Sequence, residues 1–311
     1  MTKELLIKKL LNTKIPEYCE NEKTNRDDLL RYSWEVTPEN LYRYCNCKTF
    51  DFLKNDTFSL TKPTEFNDPY DSLLYINREH IIEYLNEELD KFSTFQSEQE
   101  KIDEKQTHYK KLDELIDLSL KSLKQSSLIA CLSETFESIL MWSHYANNHK
   151  GFVLSYNFKE GTNIQKTRTT EFADNMLLPV SYSNNRFDAT EYVKFHYKDN
   201  FMKCFRDNTT NEPFFDKLFY YKYLLFKSKD WSYEREWRII KLTNSDCSDN
   251  KPDRDVIHNI RPKEIILGAQ IEKENKLKLI DIAKERDIKI SEMKLEPFMN
   301  EYKLSKVNIE I

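Results

Sequence analysis

The first regular signal along the chain is alternation. In Glu39–Asn46 (ENLYRYCN), Leu41, Arg43 and Cys45 fall on one face and Tyr42 and Tyr44 on the other, which predicts a strand. Thr57–Thr61 (TFSLT) predicts a second, short strand, and residues 1 to about 33 read as polar helix. Lys62–Asp71 (KPTEFNDPYD) carries two prolines, an Asn-Asp pair and no periodicity, so a fixed loop is expected there. The period then changes. Ile81, Ile82, Leu85 and Leu89 recur at helical spacing, as do Leu112, Leu115, Ile116, Leu120 and Leu123. A charged segment without Gly or Pro joins the two runs, and together they predict a helical hairpin over residues 78–125.

Strand signals return beyond the hairpin. They cover Ser126–Ser133 (SSLIACLS), Gly151–Phe158 (GFVLSYNF), Leu177–Ser183 (LLPVSYS), Trp231–Leu242 (WSYEREWRIIKL), Pro262–Ala269 (PKEIILGA) and Ile288–Leu295 (IKISEMKL). Helix is expected from Ser138 to about Asn148, closed by Gly151 as a C-terminal cap, and over 188–228 and 273–287. The pattern predicts an α+β core of short mixed or antiparallel strands with an inserted helical hairpin. Its expected division is an N-terminal helical extension (1–36), a core (37–77 and 126–311) and the insertion (78–125), which could serve homo-oligomer or partner contacts.

Composition narrows the class. Among 311 residues, 13% are aromatic, so the core should rest on rings and a disordered chain is excluded. A net charge of −5 lacks the basic excess of a dedicated nucleic-acid binder. No apolar run is long enough to cross a bilayer, and the N-terminus lacks the apolar centre of a secretory signal, so a cytoplasmic location is expected. The six cysteines (Cys19, Cys45, Cys47, Cys131, Cys204, Cys247) contain no C-x-x-C pair or zinc spacing and read as reduced thiols. Three glycines leave no room for a glycine-rich phosphate loop or a G-x-G-x-x-G fingerprint.

Four places carry candidate chemistry. In WSYEREWRII, strand alternation would point Trp231, Tyr233, Arg235, Trp237 and Ile239 inward. Ser232, Glu234, Glu236 and Arg238 would face the other way, with the two carboxylates about 7 Å apart. Like charges at that distance raise each other's pKa once desolvated, which suits acid–base work. The bland alternative is a solvated face with Glu236 paired to Arg238. Arg43, mid-strand in an apolar setting, needs a carboxylate such as Glu236 or a ligand phosphate. Asn67 and Asp68 mark a rigid corner, where Asx-turns are the favoured explanation. The segment Met141–Phe152 (MWSHYANNHKGF) sets Ser143, His144 and Tyr145 on a largely buried helix. Ser143 and His144 are adjacent there and do not face each other as a nucleophile pair would, and His144 and His149 lack the i, i+4 spacing of a helical zinc pair.

Taken in order over roughly residues 39–270, LYRY, SLTKPTEFNDPYD, CLSETFESILMWSHYANNHKGFVLSYN, WSYEREWRIIK and IILG resemble the bacterial family of unknown function DUF2971. A second resemblance, to ADP-ribosyltransferase folds, is carried by Tyr42-Arg43 on the first strand, the Glu65-Phe66-Asn67 corner and the late Glu234-x-Glu236. It implies NAD as substrate and no metal. Arg43 would hold a phosphate, Glu236 would be the catalytic carboxylate, and Glu234 would accept the target's proton. Asn67 would contact the adenosine side, while Ser143, His144 and Tyr145 would line the nicotinamide pocket. The Ser-Thr-Ser strand triad of those folds is absent. The resemblance further implies a protein or nucleic-acid acceptor and a role as a bacterial toxin or phage-defence effector. Two rival readings stand beside it. One is a metal-dependent nuclease using Glu234, Glu236, Asp68 and Asp71. The other is a non-catalytic sensor in which Arg43 and Glu236 form a core ion pair.

Overall fold

A computed structural model of the chain describes residues 2–14, 22–92, 96–159, 176–195, 216, 218–243 and 254–311. It is an α+β protein with a mixed, mostly antiparallel sheet. The strands are β1 (Leu41–Cys45), β2 (Thr57–Thr61), β3 (Ser127–Ser133), β4 (Phe152–Tyr156), β5 (Met176–Pro179), β6 (Ser181–Ser183), β7 (Phe226–Ser228), β8 (Glu236–Leu242), β9 (Arg254–His258), β10 (Glu264–Leu267), β11 (Lys289–Leu295) and β12 (Leu304–Asn308). Among the described residues, ten of these strands form one sheet, and β6 pairs β7 in a separate parallel ribbon.

The sheet forks at β3. One edge of β3 is taken along its length by β8, from Ser127↔Leu242 to Ser133↔Glu236. The other edge is shared: β1 meets it only at Tyr42↔Ser133, and β2 only at Thr61↔Ile129. One leaf therefore runs β12-β11-β10-β4-β1, and the other holds β9-β2-β3-β8-β5. The main core fills the space between the leaves. Leu41, Phe152, Leu154 and Ile265 come from one side, and Phe58, Leu60, Ala130, Leu132, Trp237 and Ile239 from the other. The helix Lys273–Arg286 closes this core with Leu279, Ile282 and Ala283. Burying side chains of this size contributes about 1.5–3 kcal/mol each, which makes this cluster the main anchor of the fold.

The short helix α3 (Asp51–Lys54) precedes β2, and the expected hairpin consists of α4 (Arg78–Phe92) and α5 (Glu98–Gln125). Ile81, Leu85, Leu89 and Leu112 are buried between them, and Arg78 pairs with Asp113 at 2.5 Å. The C-terminal end of α5 packs on the body through Leu120 and Leu123, while Lys124 donates to the Pro69 carbonyl at 3.2 Å. The N-terminal helices α1 (Lys3–Asn12) and α2 (Glu22–Val36) are integral to a second core cluster. Leu6, Leu10 and Leu29 are buried there beside Leu178, Tyr221, Tyr223 and Ile240.

Several expectations are corrected. The strand expected over Trp231–Leu242 begins only at Glu236; Lys229–Glu234 is a 3₁₀ helix, and Arg235 between them is left-handed (φ 47°). The 177–183 segment is two strands, β5 and β6. Within 188–228, the described residues are helical over 190–195 and Phe219–Leu224 but extended in β7, and 196–215 and 217 lie outside the described residues. β9 and β12 were not expected at all. The helix expected from Ser138 to about Asn148 ends early: α6 spans Ile139–Tyr145, and Asn147, Asn148 and His149 beyond it are left-handed. Gly151 therefore does not supply the left-handed cap. Its role is close approach, because a Cβ there would sit 2.1 Å from the Cys45 carbonyl oxygen.

Candidate functional site

Cross-strand register builds the floor of the site. Residues directly opposite in antiparallel strands share a face, so Ser133 with Glu236 and Cys131 with Arg238 stand on the side of β3 and β8 away from the main core. Tyr42, opposite Ser133, continues this face onto β1. The 3₁₀ turn and the left-handed Arg235 then bring Glu234 back toward Glu236. In a continuous strand the two would simply have repeated along one face; here the chain folds so that both meet one lysine.

That lysine is Lys227 of β7. Its Nζ donates to Glu234 Oε2 and, at 2.9 Å, to Glu236 Oε2, and it lies 3.5 Å from Asp71 Oδ2. Arg238 completes the cluster. Its Nε donates to Glu236 Oε1 at 2.8 Å, its Nη2 to Asp71 Oδ2 at 2.6 Å, and its Nη1 to the Leu224 carbonyl at 2.6 Å. Asp71, Lys227, Glu234, Glu236 and Arg238 are all buried. Groups this deep need such partners, since an unpaired buried charge is strongly disfavoured.

The two glutamates are driven apart. Burial pushes Glu234 up, and its neighbour Glu236 adds to this against the pull of Lys227, so its pKa reaches about 7. Burial would also raise Glu236, but Arg238 and then Lys227 outweigh it and hold the carboxyl well below the usual range. Burial would lower Lys227; Glu236, Asp71 and Glu234 instead keep it firmly protonated. Two carboxylates with opposed environments are the usual mark of an acid–base pair with divided roles.

A cavity of about 390 Å³ opens over this cluster. Of the seven residues to which the NAD reading gives a role, Arg43, Asn67, His144, Tyr145, Glu234 and Glu236 line it, in company with Tyr42, Tyr44, Asp71, Cys131 and Lys227. Tyr145 of α6 donates to Glu234 Oε1 at 2.6 Å and lies 3.3 Å from Asn67 Nδ2. His144 Nδ1 meets the Tyr233 hydroxyl at 3.0 Å. Ser143 is not among the lining residues: its hydroxyl donates to the Ile139 carbonyl at 3.0 Å and meets His149 Nε2 at 3.2 Å. Arg43 Nη2 donates to the Ser59 carbonyl and hydroxyl at 3.0 and 2.9 Å, and its guanidinium lies over Phe58. The anticipated Arg43–Glu236 ion pair therefore does not form, because Glu236 is taken by Arg238 and Lys227.

Asp68 does not join the other carboxylates. Its Oδ1 accepts from the Tyr70 amide, an Asx-turn at the corner, while Asp71, Glu234 and Glu236 are occupied by cations. Among the described residues, no group of three His, Cys, Asp or Glu side chains is arranged to hold a metal ion. Lys227 is the site residue that the sequence reading missed. Its only signal is a lysine between two aromatic-rich runs in YYKYLLFKSKDW, where a charge in so apolar a setting requires partners.

Fold and site together define an α+β protein with a cavity built on a buried five-residue ionic cluster. Residues 141–239 match the family model described as "Protein of unknown function (DUF2971)", the family that the sequence motifs resemble. That span contains Tyr145, Lys227, Glu234, Glu236 and Arg238, whereas Arg43, Asn67 and Asp71 precede it. No curated protein and no solved structure matches the chain, so the likeness to ADP-ribosyltransferase folds rests on the sequence motifs alone. No helix among the described residues is long and apolar enough to cross a membrane.

Proposed function

We propose that the chain is an enzyme that cleaves the nicotinamide–ribose bond of NAD, passing ADP-ribose to water or to a protein or nucleic-acid acceptor. The observation that carries this reading is the pair Glu234 and Glu236, side by side at one cavity and driven in opposite directions by their surroundings. NAD enters through the sequence resemblance. The bond broken joins the ribose carbon to a pyridinium nitrogen. Its electron pair leaves with neutral nicotinamide, and the incoming hydroxyl oxygen must lose a proton. A base with a pKa near neutrality is suited to take it. Glu234 fills that role. Glu236, locked by two cations, positions Lys227 and Arg238 beneath it, so Glu234 keeps the proton-accepting role that the resemblance implied while Glu236 becomes an anchor of the cluster. A low-dielectric cavity strengthens each of these interactions.

The test is release of free nicotinamide from NAD by the purified protein, with and without cell lysate as an acceptor source, beside Glu234→Gln. Release by the wild type, reduced at least about 100-fold in the variant, is expected for the loss of a general base. Absence of release under both conditions, together with no thermal shift on adding NAD, overturns the reading. Glu236→Gln is a poor control, because it breaks the buried cluster.

A further inference from the structure

Glu234 is only 3% exposed, and both its carboxylate oxygens are engaged, Oε2 by Lys227 and Oε1 by the Tyr145 hydroxyl. An incoming hydroxyl therefore meets a nearly buried base whose two oxygens already hold partners, one of them the Tyr145 hydroxyl. Tyr145 is less buried, lines the cavity and touches Glu234 at 2.6 Å, closer than a typical neutral hydrogen bond. Asn67 Nδ2 approaches the same phenol oxygen at 3.3 Å from the corner loop and fixes its direction. Lys227 also borders the cavity but cannot substitute for Tyr145 as the outlet, since Glu236, Asp71 and Glu234 keep it protonated and it has no lone pair to take a proton.

We propose that Tyr145 is a catalytic residue that relays the proton of the attacking hydroxyl to Glu234, with Asn67 as its positioning residue. The step balances. The ribosyl carbon–nitrogen bond breaks and its electrons go to the nicotinamide ring, while the attacking oxygen bonds to the ribose carbon. That oxygen's proton passes to the Tyr145 oxygen as the phenol proton passes to Glu234 Oε1. Tyr145 ends as it began, and Glu234 ends protonated. The direction of the existing hydrogen bond, from phenol to carboxylate, is the one this transfer requires. Burial, then Glu234 itself, raises the phenol's pKa, so it stays protonated between turnovers. Among the described residues, the charged and titratable groups around Glu234 are Lys227 on β7, Glu236 and Arg238 on β8, Asp71 in the corner loop, Tyr182 on β6, Tyr145 on α6 and Tyr233 on its own 3₁₀ helix.

This inference rests on the NAD reading for its substrate, and two measurements separate the two. The first is nicotinamide release against pH for wild type and Tyr145→Phe. The wild-type kcat should fall as pH drops through about 7, where Glu234 gains its proton. In Tyr145→Phe, kcat should drop about 100-fold with KM within about threefold, and the acid limb should vanish. A variant that keeps a tenth of wild-type kcat, or keeps the limb, overturns the relay. The second is carbon-13 NMR titration of the glutamate carboxyls, with the Glu234 signal identified by its loss in Glu234→Gln. Removing the phenol donor should move the Glu234 midpoint upward. A midpoint unmoved in Tyr145→Phe overturns the relay whatever the substrate. A wild type that releases no nicotinamide while the midpoint does move overturns the NAD reading and supports the Tyr145–Glu234 coupling.

Discussion

At the residue scale, the two neighbouring glutamates differ because their partners differ. Glu236 accepts from Arg238 and Lys227 in full burial, so removing its charge leaves two buried cations short of a partner. Breaking a buried pair in this way costs about 3–5 kcal/mol. Glu236→Gln should therefore lower the denaturation midpoint in urea substantially, at an unchanged slope. Glu234→Gln should cost far less, because a carboxyl held near its titration point is already half neutral at pH 7. Equal midpoints for the two variants would contradict this division. Alternation in the sequence brought Glu234, Glu236 and Arg238 to notice. Which of the two glutamates is fixed and which is proton-active depends on Lys227 and Asp71, from elsewhere in the chain, and could not be read from spacing.

At the element scale, the joint between the 3₁₀ helix and β8 decides where Glu234 points. Arg235 takes a left-handed conformation that costs an L-residue about 1–2 kcal/mol. Its side chain is 60% exposed and pairs with Glu134, a contact of little net worth at that exposure. Arg235→Gly should thus stay within about 1 kcal/mol of wild type, while the β-branched Arg235→Val should lose about 1–2 kcal/mol. Thermal melts that rank the two variants in the opposite order would show that the side chain, not the backbone, holds the joint. The run Asn147–His149 is a second strained turn, and its neighbours over-determine it. A Cβ on Gly268 would lie 2.1 Å from the His149 carbonyl oxygen, and the His149 ring stacks on Trp142. The sequence announced neither turn, because Asn and His tolerate this conformation in many settings without requiring it, and Arg adopts it only where the surrounding packing imposes it.

At the scale of the whole molecule, the cluster ties stability to pH in two opposed windows. Glu234 is raised from its ordinary 4.5 to about 7, so the folded state holds the extra proton. Its contribution is complete below about 4.5 and is lost as pH rises through about 7. Glu236 is depressed; its contribution is present above about 4.5 and is lost as pH falls below that. The difference in Tm between Glu234→Gln and wild type should therefore grow in the variant's favour from pH 5 to pH 8, because glutamine cannot ionise. A difference that stays flat across that range would mean that Glu234 is not raised.

The sequence by itself determined most of the elements and the residues worth watching. Periods of two and of 3.6 placed β1 to β4, the two long helices, the helix Lys273–Arg286 and β11, because those patterns record which face each segment buries. The corner at Phe66–Asp68 was legible from its prolines and Asx residues, and the motifs pointed to the family whose model matches residues 141–239. Tertiary structure alone decided the fork at β3, the folding back of Glu234 and the meeting of Asp71, Lys227 and Arg238 across more than 150 residues. Local pattern reports burial, whereas a buried charge chooses its partner by distance through space, and that distance exists only once the strands have paired.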